Sequence, residues 1–170
     1  DYGSQWAGMG SELLLDEPVF RVVLEECEQV IHQSAGWSLL EELARPRDQS
    51  RLDQPDIGQP AVVAVQIALS ALWRSWGLDF AVVSGHGSGE VAAAHVAGIL
   101  DLADAMRVIV QRGRAMQRAS LRGGGEAPRA LTGLSCRQGS IPIVATQPGR
   151  MAQGWEFDES RWSIQPSAPR

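Results

Sequence analysis

The sequence is poor in the residues that bind metals or cross-link chains. Its 170 residues include two cysteines, Cys27 and Cys136, and three histidines. The cysteines lie far apart and form none of the short spacings that hold a metal ion, so no metal site is predicted. Two isolated thiols favour a reduced, cytoplasmic compartment in which both remain chemically inert.

Positive charge and long apolar runs are also scarce. Lysine and arginine total 15 against 20 acidic residues, which gives a net charge of -5 and no basic block. This balance argues against a nucleic-acid partner. No apolar run approaches the roughly 18 residues that cross a bilayer, so no membrane partner is expected, and the sequence predicts no signal peptide. The first residues resemble the middle of a loop, which predicts a piece of a longer polypeptide.

A glycine-rich turn is the feature around which the rest of the chain is organised. Residues 80–83 are apolar, residues 85–89 read GHGSG, and an alanine-rich segment follows from Glu90. A strand that turns sharply into a helix is the outline of a nucleophile elbow, whose pattern G-x-S-x-G presents a serine at the tip. The middle position here is Gly87, so the sequence predicts the turn without its nucleophile. The alternative is a glycine-rich helix start that never carried chemistry.

Apolar periodicity and turn residues predict a mainly helical chain with two strands. We expect Pro60 at a helix N-terminus and Asp101 as an N-cap. Trp73 and Trp76 are expected in the core of a buried central helix. Helices are predicted over 11–15, 17–31, 37–43, 61–76, 90–97 and 101–119, and strands over 80–84 and 141–146.

Five motifs occur in a fixed order along the chain. They are GSQWAGMG (3–10), GQPA (58–61), ALWRSWG (71–77), GHGSGEVAAAHVAG (85–98) and QRGRAM (111–116). Together they resemble the acyltransferase domain of modular type I polyketide synthases, and the resemblance resumes at ALTGL (130–134) and IPIVAT (141–146). Ordered motifs are far more specific than a single elbow pattern.

The resemblance implies an α/β fold in two parts. An α/β hydrolase-like large subdomain would carry the elbow, and a ferredoxin-like small subdomain would close over it. The short passage from residue 122 to residue 130 predicts that the small subdomain is deleted. We therefore predict a large subdomain (1–120), a Gly-rich linker at the deletion junction (121–129), a returning helix end and strand (130–147) and an irregular tail (148–170).

The resemblance also implies a reaction. A malonyl-type group would pass from a coenzyme A thioester to the phosphopantetheine thiol of an acyl carrier protein, through an acyl-serine ester activated by a histidine. Backbone N–H groups would hold the developing oxyanion. The matching positions are Gly87 (nucleophile), Ser88 (oxyanion N–H), Arg112 (carboxylate of the extender unit), Gln59 (pocket) and Tyr2 (a glutamine beside the oxyanion site in the family).

Several of these positions have lost the family residue. The serine is Gly87, the glutamine is Tyr2, and no histidine follows His95, although the family places its catalytic histidine after the small subdomain. Ser88 is at best a weak substitute nucleophile, because it lies beside the tip rather than on it. For Arg112 the alternative is a solvated helix face.

The sequence therefore predicts a degenerate, inactive acyltransferase domain that binds no cofactor of its own. Its role would be structural, beside a ketosynthase and an acyl carrier protein of the same assembly line. Sheet edges left bare by the missing parts would be covered by neighbouring domains. Two alternatives stay open: an active or complemented acyltransferase, and a docking module for the carrier protein.

Overall fold

The computed structural model describes residues 4–122, 133–145, 149–152, 156–157 and 159–162. Within these ranges the chain combines helices with one small sheet, which confirms the α/β class. The elements are α1 (Ser11–Asp16), α2 (Pro18–Ala35), α3 (Leu39–Ala44), α4 (Pro55–Ser75), β1 (Val83–Gly85), α5 (Gly89–Val96), α6 (Leu102–Arg122), β2 (Ile143–Ala145), β3 (Arg150–Ala152) and α7 (Glu159–Trp162).

Helix α4 is the centre of the fold because it is apolar on nearly every face. It packs against α2, α5 and α6 and buries Val63, Ile67 and Leu72 almost completely. Full burial of each such side chain stabilises the fold by about 1.5–3 kcal/mol. Tertiary packing of this kind, more than helix propensity, holds a helix in place.

The start of α4 differs from the prediction. The sequence predicts a helix that begins at Pro60, whereas α4 begins at Pro55 and Pro60 lies inside it. Pro55 occupies the first turn, where a missing N–H costs nothing. Pro60 removes the hydrogen bond that would reach the carbonyl of Asp56. All residues from 55 to 64 except Asp56 are buried, and their packing offsets that loss.

By length and composition alone, α4 could also cross a membrane, the one such helix among the described residues. This differs from the expectation that no run approaches that length. Inside the fold 61% of its most apolar stretch is buried, where three other helices cover it. A core helix passes the same test, so the finding is weak support for a membrane span.

The sheet brings the ends of distant segments together. Its order is β1-β2-β3, with β1 and β2 parallel and Gly85 opposite Ala145. β3 pairs antiparallel with β2. β1 is therefore an edge strand of the sheet that the structure describes.

The connection from α6 to β2 is short. Helix α6 ends at Arg122 and β2 begins at Ile143. A single βαβ unit needs about 30 residues or more, which exceeds the whole connection. The length of this connection agrees with the predicted deletion of a ferredoxin-like subdomain, which stays a prediction. The predicted linker at 121–129 falls mostly outside the described residues, and the four segment boundaries remain predictions.

The predicted irregular tail contains packed structure where it is described. β3 and α7 both lie in it, and Phe157 and Trp162 are 0% and 1% exposed. Their ring centroids lie 5.7 Å apart, and the Trp162 indole N–H donates to the Phe157 carbonyl at 3.1 Å. A strand of three residues and a helix of four are too short to show a periodicity in the sequence.

Two tryptophans predicted to lie in the core are exposed. Trp73 is 45% exposed and Trp76 is 59% exposed. Both lie at the C-terminal end of α4, where Leu72 is 1% exposed and faces the core. The prediction is wrong because the apolar run places side chains on every face of the helix, whereas the neighbouring elements bury one face at this end.

Candidate functional site

The turn between β1 and α5 forms a sharp elbow, which we define as residues 85–90. Gly87 has a φ of 59°, in the left-handed region that glycine adopts without a steric penalty. The N–H of Gly89 donates to the His86 carbonyl at 3.0 Å, and the N–H of Glu90 donates to the Gly87 carbonyl at 3.3 Å. Gly87 therefore stands at the tip of a tight strand-to-helix turn, as the sequence predicts.

Gly85 makes the tight turn possible. A Cβ atom added there would lie 2.1 Å from the carbonyl oxygen of Gly89 and 2.6 Å from the nitrogen of Glu90. The start of α5 thus packs directly onto the end of β1, which only glycine permits. Gly89 is different, because a Cβ there would meet nothing closer than the Gln66 side chain at 3.9 Å.

Ser88 precedes α5 and has an ordinary helical conformation, with φ -65° and ψ -30°. The residue is 6% exposed. Its amide is among the first of the helix and so has no acceptor within the helix. An amide at this positive end of a helix suits an anion. Its conformation and burial differ from those of the tip, and its use as a weak substitute nucleophile stays a prediction.

Arg112 reaches the elbow from α6. Its Nη1 lies 3.4 Å from the carbonyl oxygen of Gly87, a long hydrogen bond. Burial lowers the pKa of the Arg112 guanidinium, and the nearby Glu90 carboxylate opposes that shift. Arginine remains a cation at neutral pH despite such a shift. The structure thus brings together Gly87 and Arg112, which lie 25 residues apart in the sequence.

A second arginine, missed in the sequence, reaches the elbow from the tail. Arg161 on α7 forms an ion pair with Glu90, and the two side chains are only 21% and 16% exposed. The guanidinium of Arg161 also lies 4.5 Å from the centre of the Phe157 ring. No pattern in the tail could have shown this contact, because it joins residues 71 positions apart. The described contacts thus place two guanidiniums and one carboxylate at the elbow.

The structure says less about the other two predicted site residues, Gln59 and Tyr2. Gln59 is 6% exposed on α4 and does not line the cavity beside the elbow. Its role in a pocket stays a prediction. Tyr2 lies outside the described residues.

The histidines lie on three different elements. His32 is in the last turn of α2, His86 is in the elbow, and His95 is on α5. Nδ1 of His95 lies 3.1 Å from the Leu100 carbonyl oxygen, and burial lowers the pKa of this histidine. Its ring is thus used in packing. Within the ranges that the structure describes, no group of three metal-binding side chains is found.

The chain is similar to known acyltransferase domains in sequence. A family model described as the acyl transferase domain matches residues 2–153. The spectinabilin polyketide synthase system protein NorA of Streptomyces orinoci is 47% identical over 122 residues, which are 72% of this chain and 6% of that protein. The erythronolide synthase EryA2 of Saccharopolyspora erythraea is 44% identical over 122 residues, again 72% of this chain and 3% of that protein.

Solved structures show the same relationship. The acyltransferase domain from module 8 of the salinomycin polyketide synthase superposes with a TM-score of 0.82 and 27% identity, over 94% of this chain and 55% of that chain. A loading acyltransferase from the avermectin modular polyketide synthase gives a TM-score of 0.78 and 26% identity, over 95% of this chain and 75% of that chain. The chain thus spans a small part of the curated relatives and about half of the salinomycin domain. On the family match and the shared fold, this chain belongs to the acyltransferase domain family of modular polyketide synthases.

Proposed function

We propose that this chain is a degenerate polyketide synthase acyltransferase domain that no longer transfers acyl groups and has a structural role. The observation that carries this proposal is Gly87 at the tip of the elbow, with a φ of 59°. In the family the tip presents the serine that forms the acyl ester. Glycine has no side chain, so no ester can form at this position.

The missing base supports the same proposal. No histidine follows His95 in the sequence, and the ring of His95 is already used in packing against the Leu100 carbonyl. Loss of the nucleophile alone costs on the order of 10⁶-fold in kcat in a well-studied triad hydrolase. A chain that lacks both the nucleophile and the base retains only the part of the rate enhancement that comes from binding.

Arg112 is the part of the site that supports ancestral transfer of malonyl-type groups. A guanidinium 3.4 Å from the tip carbonyl suits the free carboxylate of such a group, since arginine binds carboxylates through two parallel hydrogen bonds. Coenzyme A thioesters would be the donors. The phosphopantetheine of an acyl carrier protein would be the acceptor, and an adjacent ketosynthase the structural neighbour.

Intact-mass measurement tests the loss of activity. The full chain is mixed with malonyl-CoA and, separately, with methylmalonyl-CoA, and its mass is followed over time. We expect the mass to remain that of the unmodified chain. A covalent acyl adduct on the natural chain would overturn the proposal.

A complemented acyltransferase is the second candidate, and the retained Arg112 favours it. Gly87→Ser restores the family nucleophile, and Gly87→Ala is the matched control because both side chains bear the same backbone strain of about 1–3 kcal/mol. An adduct on Gly87→Ser alone would show a competent pocket in which only the nucleophile is lost. Without an adduct on either variant, the structural role is favoured.

A further inference from the structure

Glu90 and Arg112 belong to different helices but meet at the same backbone atom. The N–H of Glu90 donates to the Gly87 carbonyl at 3.3 Å, and Nη1 of Arg112 lies 3.4 Å from the same oxygen. The Glu90 carboxylate also opposes the fall in the pKa of Arg112 that burial causes. The Glu90 side chain is therefore close enough to act on the Arg112 guanidinium electrostatically.

Arg112 nevertheless forms no ion pair with a carboxylate in the part of the chain that the structure describes. Its one hydrogen bond to those residues is the long contact with Gly87. An arginine side chain carries five N–H donors, so the described residues leave most of these donors for an added anion. Since the Glu90 carboxylate already acts on this guanidinium, it would compete with such an anion.

Arg161 engages the Glu90 carboxylate from another direction. Nη2 of Arg161 donates to Oε1 of Glu90, and the two side chains are only 21% and 16% exposed. Packing holds the Arg161 guanidinium in place, because it lies 4.5 Å from the centre of the Phe157 ring, and Phe157 and Trp162 are 0% and 1% exposed. An ion pair with so little contact with solvent is weakly screened by salt. The competing carboxylate is thus occupied by the tail.

We propose that Arg161 is a positioning residue for the elbow: it pairs with Glu90 and so leaves Arg112 available for the free carboxylate of a malonyl-type thioester. This inference rests on the proposed ancestral substrate, and it adds that the chain still binds this group without transferring it. Without Arg161, the Glu90 carboxylate would turn toward Arg112. As part of the same chain it would have a high effective concentration there and would oppose an added carboxylate.

Isothermal titration calorimetry of the full chain tests the proposal. The probes are malonyl-CoA and acetyl-CoA, which differ by the free carboxylate. We expect the natural chain to bind malonyl-CoA at least ~10-fold more tightly, as hydrogen bonds to a charged group allow. Arg161→Gln should remove most of this preference. Arg150→Gln is the matched control, because Arg150 also lies in the tail but pairs with Glu156, and it should bind like the natural chain.

The double variant Arg161→Gln/Glu90→Gln separates positioning from a structural effect. Removal of the competing carboxylate should restore the preference for malonyl-CoA, whereas a loss of tail packing would not be repaired by a second substitution. Glu90→Gln alone should bind malonyl-CoA at least as tightly as the natural chain, and this variant tests the competition even if Arg161→Gln does not fold. Thermal melts establish which variants are folded.

Any of four outcomes would overturn the proposal. These are a natural chain that does not prefer malonyl-CoA, an unchanged preference in a folded Arg161→Gln variant, a folded double variant as weak as Arg161→Gln, and weaker binding by a folded Glu90→Gln variant. The intact mass of each chain is measured after the titration. An acyl adduct would overturn the loss of activity but not the positioning role, so the two failures are distinguishable.

Discussion

Individual glycines decide what the elbow can be. Gly85 lets the helix start approach the end of the strand, and Gly87 occupies the left-handed conformation at the tip. The family pattern already predicts a glycine at position 85. The pattern cannot say how close the approach is, because the distance between β1 and α5 follows from how these two elements pack against each other.

Gly85→Ala should destabilise the elbow strongly. The new methyl group would lie 2.1 Å from a backbone oxygen, and overpacking of this kind costs about 1–3 kcal/mol. Gly89→Ala is the matched control, since the nearest atom is 3.9 Å away and alanine favours helices by up to about 1 kcal/mol. Urea unfolding measures both. Equal stability of the two variants would contradict the observed close approach.

The two thiols should differ in reactivity. Burial raises the pKa of Cys27 to about 12, and the side chain is 0% exposed, whereas Cys136 is half-buried. Only a thiolate is a good nucleophile. A thiol reagent at about pH 8 should therefore modify Cys136 first and Cys27 only after unfolding. Peptide mapping identifies the modified residue, and early labelling of Cys27 would contradict the burial. The sequence alone predicts both thiols to be inert.

At the scale of elements, a buried carboxylate connects α3 to the start of α4. Glu42 is 1% exposed and accepts hydrogen bonds from the Arg51 backbone at 2.7 Å and from its side chain at 2.7 and 2.9 Å. The loop before α4 is thereby held against α3. The sequence shows this loop only as a polar connection, because an acidic residue nine positions earlier carries no signal of its partner.

Glu42→Gln should lower the free energy of unfolding by about 2 kcal/mol, because hydrogen bonds to a charged group contribute about 1.5–3 kcal/mol. Glu41→Gln on the exposed side of the same helix is the control and should change it by less than about 0.5 kcal/mol. Chemical unfolding compares the two. A similar loss in both variants would mean that the charge on α3, and not the Arg51 contacts, matters.

For the whole molecule, stability should depend on the protonation of His95. Burial lowers its pKa from 6.5, against hydrogen bonds with the backbone of Leu100 and Asp101. Below about pH 6.5 the unfolded chain therefore binds a proton at His95 more readily than the folded chain does, so the stability falls as the pH decreases toward the lower folded pKa. Above about pH 6.5 this contribution to the stability is fully present.

Urea midpoints at about pH 7.5 and about pH 5.5 measure this dependence. His95→Gln removes the titrating ring and should reduce the difference between the two midpoints. An unchanged difference would assign the pH dependence to other groups. The natural chain should be less stable at about pH 5.5 than at about pH 7.5.

The sequence by itself determined the family, the order of the elements as far as β2 and the glycine at the tip of the elbow. These depend on local patterns: apolar periodicity, caps such as Asp101, and motifs read over a few residues. Only the tertiary structure decided that α4 begins at Pro55, that Trp73 and Trp76 are exposed, and that Arg161 from the tail pairs with Glu90. Each of these depends on which surfaces meet in three dimensions. A sequence pattern records the apolar character of a residue but not whether another element arrives to cover it.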